Sequence, residues 1–534
     1  MRYRLLVRVS VIALMGATPC WAEDAAPSQN DLLAKIEKQD AEIAALKQQL
    51  QALTSLVEAR VGTPKPAAAS RRAEAAPVVK PAPSVETRLS ELETRVQAQD
   101  EALAARQQQP TGSTSQNAGT LVMNGAQPRF ESADGAYSAA LRTLVDFDSA
   151  YYIQDNQPSG GSGQDLSSGT NFRRARFGIE GTIARNFDYS FIYEFGGTGV
   201  EGAGQIQQAY LQYSALRPLY LRAGAYAPSA NIEDATGAGD TLFLERASVS
   251  EITRGLAGAD GRSAAGVIYA PERYFLSAAY TGAKVGQSSV FDEQQGSVGR
   301  AAALVYTNEH ANVLLGVNGS YVWDLPDTTA GPGSATNVSF GDRPELRVDG
   351  TQLVSTGSID ARSAYHYGFD AGANYDNLYL EGGYFRFGAD RRGTSDDPDF
   401  SGYYVQASWV LTGEPRRYNP ASASWKVPKV ASPFTGTAGS GWGAWELAAR
   451  YSTVDLNYNP GTAGAPVPAT GIRGGEQDIW SAALNWYANS AIRIAFEYQA
   501  VSIDRLNGTT TPPPANAQIG QDYQTLSARV QVGF

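Results

Sequence analysis

From about residue 136 to the end of the chain, apolar and polar residues alternate in short runs. Turns rich in Gly, Asn, Asp and Pro separate the runs. Alternation with period two puts one face of a strand in hydrocarbon or core and the other in a polar environment. Residues 141–147 open the series. In 172–180, Ala175, Phe177 and Ile179 oppose Arg174, Arg176 and Glu180. Stretches 187–195 and 206–214 read the same way, and further runs start near 219, 262, 274, 300, 312, 362, 377, 401, 445, 479, 492 and 524. The pattern predicts sixteen strands, at about 25 residues per strand plus connection, which suits a closed antiparallel barrel with short turns at one end and long loops at the other. Four low-hydrophobicity stretches, near 153–170, 226–260, 324–360 and 412–442, read as the long outer loops. The last strand is the clearest. Leu526, Ala528, Val530, Val532 and Phe534 share one face, and Thr525, Ser527, Arg529 and Gln531 share the other. A terminal aromatic on such a strand is what barrel-assembly machinery recognises in outer-membrane proteins.

The first quarter of the chain has a different period. Ile36, Ile43, Leu50 and Val57 fall at one heptad position, and Leu32, Gln39, Leu46 and Leu53 at the other. A second stretch carries Val85, Leu89, Leu92, Val96 and Leu103 in register, after an Ala/Pro-rich linker over about 61–84. Four heptads with one polar interruption suit a coiled coil. Isolated amphipathic helices this short are marginal, which favours self-association over two solvated helices. The organisation expected is therefore 1–22 as a signal, 23–109 as periplasmic coiled-coil segments, 110–135 as a polar Gly-rich linker, and 136–534 as the barrel. Within 1–22, Arg2, Arg4 and Arg8 form a basic start, a short apolar run from Leu5 to Ala17 is interrupted only by Arg8 and Ser10, and Cys20-Trp21-Ala22 sets small residues at the cleavage positions. Cys20 leaves a lipoprotein site open, with Pro19 before it as a poor fit.

Composition sharpens this picture. Charged residues make up 18% of the chain and aromatics 10%, with 55 Gly and 28 Tyr. A barrel with aromatic girdles has this composition, and so does a soluble sandwich. No segment approaches the run of 18 or more apolar residues that a spanning helix needs, so a membrane position requires a closed barrel. Loss of residues 1–22 removes three arginines and no acid, taking the net charge from −11 to −14. It also removes the single Cys, so no disulfide or thiolate site remains. An acidic chain of this kind is not a nucleic-acid binder by bulk charge.

Several stretches resemble the phosphate-selective porins, the O/P porin family. They are Phe172-Arg173-Arg174-Ala175-Arg176-Phe177-Gly178, Phe243-Leu244-Glu245-Arg246-Ala247, Tyr403 to Ser408 followed by Leu411-Thr412-Gly413-Glu414, Gly443 to Ser452 with the sequence GAWELAARYS, and Asn485-Trp486-Tyr487 with the closing strand. The resemblance spans about 135–534. It implies a sixteen-stranded trimer passing phosphate or polyphosphate. The chain departs from it in having Ala227, where the family often has Lys before the Pro. The resemblance does not account for the coiled coil.

A pore selects anions by presenting cations to its lumen, and guanidinium suits phosphate through its paired donors. Seven arginines fall on the polar side of their strands: Arg142, Arg174, Arg176, Arg222, Arg450, Arg493 and Arg529. Each has a structural reading too, as a partner for carboxylates such as Glu180, Glu194, Glu446 and Glu497. The stretch 227–260 holds Glu233, Asp234, Asp240, Glu245, Arg246 and Arg254, and in a porin it folds inward to narrow the pore. Its mixed charges leave the sign of the constriction open. The chain has two His, His310 and His366, and no Ser-His-Asp order, zinc cluster or phosphate-cradling strand–turn–helix, so neither an enzyme nor a cofactor is expected. Asp396-Asp397-Pro398-Asp399 reads as a solvated loop ahead of a Ca²⁺ site. Two function classes remain. One is an outer-membrane channel for small anions, in contact with lipid and assembled as a homotrimer. The other is a structural protein that tethers the envelope or cell wall through its coiled coil, with the barrel as anchor.

Overall fold

The computed structural model describes residues 119–154, 164–197, 204–286, 292–328, 336–394, 396–508 and 518–534. The signal and both heptad stretches lie outside the described residues. Sixteen long strands form the wall. They are β1 (Ser138–Gln154), β2 (Gly169–Ile183), β3 (Phe187–Glu194), β4 (Gln205–Tyr213), β5 (Leu219–Tyr226), β6 (Arg262–Tyr269), β7 (Tyr274–Lys284), β8 (Gln295–Thr307), β9 (Ala311–Asp324), β10 (Ile359–Tyr375), β11 (Leu378–Arg391), β12 (Asp399–Val410), β13 (Ala444–Tyr458), β14 (Ile472–Tyr487), β15 (Ile492–Asp504) and β16 (Asp522–Gly533). Each pairs antiparallel with the next, and β16 pairs with β1, so the sheet closes. Phe534 completes the seam by exchanging backbone hydrogen bonds with Thr143, at 2.8 and 3.0 Å. Every sequence-predicted strand is present. Closure leaves no edge in the wall, as a sheet in hydrocarbon requires.

The alternation decides which side of the wall each residue faces. On β16, Thr525, Ser527, Arg529 and Gln531 are buried inside, while Leu526, Val530 and Val532 are exposed outside. Across the wall many large apolar side chains are exposed on the outer face, among them Phe369, Trp480 and Phe496. A surface this apolar over a whole barrel is a lipid-facing surface. The molecule is inverted relative to a soluble protein, and its hydrophobic core lies inside the barrel.

That core consists of connections folded into the lumen. Between β5 and β6 the chain turns inward through α1 (Ile232–Ala235) and α2 (Ser248–Ala257). Asn231 caps α1, its side chain accepting from Asp234 N at 2.8 Å. Ile232, Phe243, Leu244, Val249 and Ile252 pack with Leu314, Phe385, Tyr404 and Val454 of the wall. Gly402 makes room on β12: a Cβ there would lie 2.8 Å from Val249 Cγ2. Segment 325–358 adds Phe340, Leu346 and Val354 to the same core.

Two connections differ from the sequence reading. Stretch 412–442 was expected among the outer loops, but it joins β12 to β13 at the end that carries the short turns 184–186, 214–218, 376–377 and 488–491. It reverses into the barrel as a small hairpin, Arg417–Asn419 against Ser424–Lys426. Trp425, fully buried, anchors it over Gly372 of β10, where a Cβ would lie 2.4 Å from the indole. The expected linker 110–135 contains a second hairpin, Thr120–Asn124 with Gln127–Glu131, which extends β1 at the same end.

Candidate constriction and basic vestibule

The sequence-predicted lumen arginines do face inward, but most meet carboxylates. Arg529 donates to both oxygens of Asp148, at 2.6 and 2.7 Å, and to Glu245 at 2.8 Å. Arg174 bridges Asp146 at 2.9 Å and Glu245 at 3.4 Å. Arg176 joins Glu194 at 2.6 Å and Asp260 at 3.0 Å. Arg450 pairs with Glu345 of segment 325–358, lies 3.5 Å from Glu233 of α1, and donates to Glu245 O at 2.9 Å. Arg450 thus ties the wall to both inserts. A β-bulge between β1 and β2 sets Arg174 opposite Asp146 and Phe172 opposite Phe147, leaving Arg173 as the extra residue. Arg173 therefore also turns inward and grips Glu245 at 2.8 and 3.0 Å. Strict alternation had no way to place it there.

Glu245 is the anchor of the constriction loop. Burial alone would raise its pKa, but Arg173, Arg174 and Arg529 outweigh that and hold it well below the usual carboxylate range. The other expected loop residues serve the loop itself. Arg254 joins Asp234 at 2.5 Å, Glu251 at 2.9 Å and Asp260 at 3.2 Å. Arg246 donates to the carbonyls of Glu233 at 3.0 Å and Thr236 at 3.3 Å.

Three expected arginines sit elsewhere. Arg142 is half-exposed and 3.4 Å from Glu180. Arg222 donates to Gln212 at 2.6 Å and stacks over Tyr210. Arg493 holds the carbonyl of Leu242 at 3.0 Å and Asn485 at 2.7 Å.

At the short-turn end, a cavity of about 950 Å³ opens beneath the constriction loop. Arg417, Lys426 and Lys429 of the β12–β13 insert line it, together with Arg246, Arg493 and Asp240. Arg417, Lys426, Lys429 and Arg493 form no ion pair among the described residues. The insert is held by Arg416, which pairs with Glu446 at 2.8 Å and donates to Asp240 O at 3.0 Å. Burial works against the Arg416 charge, but Glu446 and its hydrogen bond more than compensate and keep Arg416 firmly protonated. Arg417, Lys426 and Lys429 lie outside the sequence-predicted set, which drew its anion-path arginines from the polar sides of the wall strands. Among the described residues no cluster of His, Cys, Asp or Glu is arranged to hold a metal ion.

The family model described as phosphate-selective porin O and P matches residues 147–534. The chain belongs to that family. The porin is also similar to Porin O of Pseudomonas aeruginosa, with 25% identity over 362 residues, covering 63% of this chain and 77% of that protein. An uncharacterized protein of Caulobacter vibrioides is 24% identical over 541 residues, 99% of this chain and 96% of that one. Among solved structures, the anion-selective porin from Comamonas acidovorans aligns with TM-score 0.43 and 12% identity, over 74% of this chain and all of that one. As a member of this family with a closed barrel, the porin is an outer-membrane channel. Short turns of such barrels face the periplasm, which puts the basic vestibule at the periplasmic mouth. Proteins of this kind are channels rather than enzymes.

Proposed function

We propose that this porin passes small anions by passive diffusion, with phosphate or polyphosphate as the solute class its family description names. The observation that carries this reading is the vestibule. Arg417, Lys426, Lys429 and Arg493 face one cavity with no ion pair among the described residues. Four such cations raise the local anion concentration and offer the donors an oxyanion accepts. Arg174, Arg176, Arg450 and Arg529 are paired with buried carboxylates, so they shape the constriction and contribute little net field. Anion preference is then set at the periplasmic mouth.

A periplasmic position for residues 23–109, after removal of residues 1–22, rests on the secretory signal read from the sequence. A homotrimer with self-associating N-terminal helices fits the heptad pattern. The test is reversal potential across a planar bilayer in a salt gradient. The wild-type protein should favour anions. Replacing Arg417, Lys426 and Lys429 together by Gln should move the ratio towards non-selectivity. An unchanged ratio would sink the vestibule as the selective element, and cation preference in the wild type would sink the anion channel.

A further inference from the structure

The outer wall carries a groove that takes no part in the channel. It spans β7 to β12 and has a volume of about 930 Å³. Its floor is a row of directly paired residues: Tyr274, Ala303, Leu315, Ala371, Gly382 and Val405. Ala303, Ala371 and Gly382 are the low points. The next row raises Phe369, Tyr384 and Tyr403 beside them, all three exposed. These positions face outward, where the wall meets hydrocarbon. Five interstrand steps make the floor roughly 24 Å long. It starts at the first residue of β7 and ends well inside β12, so the strand tilt carries it from the periplasmic rim into the membrane.

The rim where the groove starts carries charges of both signs. Turn 270–273 joins β6 to β7, and Tyr269 and Tyr274 on either side of it line the groove. Within the turn, Glu272 and Arg273 are exposed, and neither forms an ion pair among the described residues. The neighbouring turns are acidic. They hold Glu309 and Asp376, and His310 lies 3.6 Å from the first and 2.7 Å from the second. Arg273 is therefore the guanidinium of the three turns beneath the groove.

We propose that this groove binds a phospholipid of the periplasmic leaflet with a phosphoethanolamine headgroup. One acyl chain lies along the floor, the phosphate accepts from Arg273, and the headgroup ammonium faces Glu272. A chain between two ridges is touched on three sides instead of one, which multiplies its dispersion contacts. Guanidinium donates paired hydrogen bonds to phosphate. Adjacent unpaired charges of opposite sign match a zwitterion better than a net anion. A second barrel is convex, and its wall would rest on the ridges and leave the floor unfilled.

The experiment uses the full chain in mixed micelles holding equal amounts of phosphatidylethanolamine and phosphatidylglycerol, and counts retained lipid by native mass spectrometry. The wild type should favour phosphatidylethanolamine by about three-fold. Ala303→Phe combined with Ala371→Phe fills the floor from outside and should cut retention about ten-fold. Arg273→Gln should weaken both lipids about three-fold, and Glu272→Gln should abolish the headgroup preference. Single-channel conductance should stay at the wild-type value throughout, because none of these side chains enters the lumen. Lipid retained in the filled-groove variant overturns the proposal, as does a wild type that holds both headgroups equally. So does a filled-groove variant whose oligomer falls apart on unheated gels, because a second copy then occupies the groove. Should that variant fail to fold, the two turn variants decide: retention and preference unchanged in both overturn the proposal.

Discussion

Glu245 shows how much a single side chain does in this lumen. It sits within hydrogen-bond reach of Arg173, Arg174 and Arg529, and its own carbonyl accepts from Arg450. Removing one member of a buried ion cluster leaves the others as uncompensated charge, at a cost of about 3–5 kcal/mol. Glu245→Ala should therefore loosen the constriction loop without unfolding the wall. The expected record is a larger, noisier single-channel current, with folded-barrel mobility retained on unheated gels. A trace identical to wild type would show that the anchor lies elsewhere. The sequence made Glu245 visible as part of a charged loop. It did not show that three arginines from two strands converge on it, because the bulge at Arg173 breaks the alternation by one residue.

At the level of elements, the inserts decide what the channel is. α1 brings Glu233 into the lumen, facing Arg450 of β13, Glu381 of β11, Glu345 of segment 325–358 and Arg246 of its own loop. Burial pushes its pKa up to about 8, against the pull of Arg450. Undocked in water, the same group would titrate near its ordinary value of 4.5. The docked loop thus binds the proton more tightly than the released loop does, and low pH favours docking. That advantage is fully present below about 4.5, is lost as pH rises through about 8, and is constant beyond. Current noise from loop release should increase between pH 5 and 8, by up to about ten-fold per unit, and then level off. Glu233→Gln should flatten the profile, and a variant that keeps the wild-type slope would exclude Glu233 as the titrating group. The β12–β13 insert carried a signal in the sequence that counting alone could have used. It follows an even-numbered strand, so it must leave the barrel at the same end as the turn after β2. The stretches near 153–170, 226–260 and 324–360 follow odd-numbered strands and leave at the other end.

The whole molecule is a closed wall whose outer face is apolar and whose core is internal. Closure runs through β16 and β1 and through the Phe534–Thr143 hydrogen bonds, all within residues 138–534. A chain lacking 23–109 should therefore retain its conductance and its anion-to-cation ratio in bilayers. Loss of either would place the N-terminal segment inside the channel, and an envelope defect alone would favour a tethering role for it.

The sequence by itself determined the strands, their number, their inner and outer faces and the seam at Phe534. These follow from local alternation, and a sheet in hydrocarbon has few ways to satisfy its backbone. Tertiary structure alone decided which inward cations remain unpaired. Whether Arg450 or Lys426 acts as a free charge depends on carboxylates more than a hundred residues away, or on the end of the barrel a connection enters. Ion pairing is a matter of distance in space, and an alternating pattern records only side.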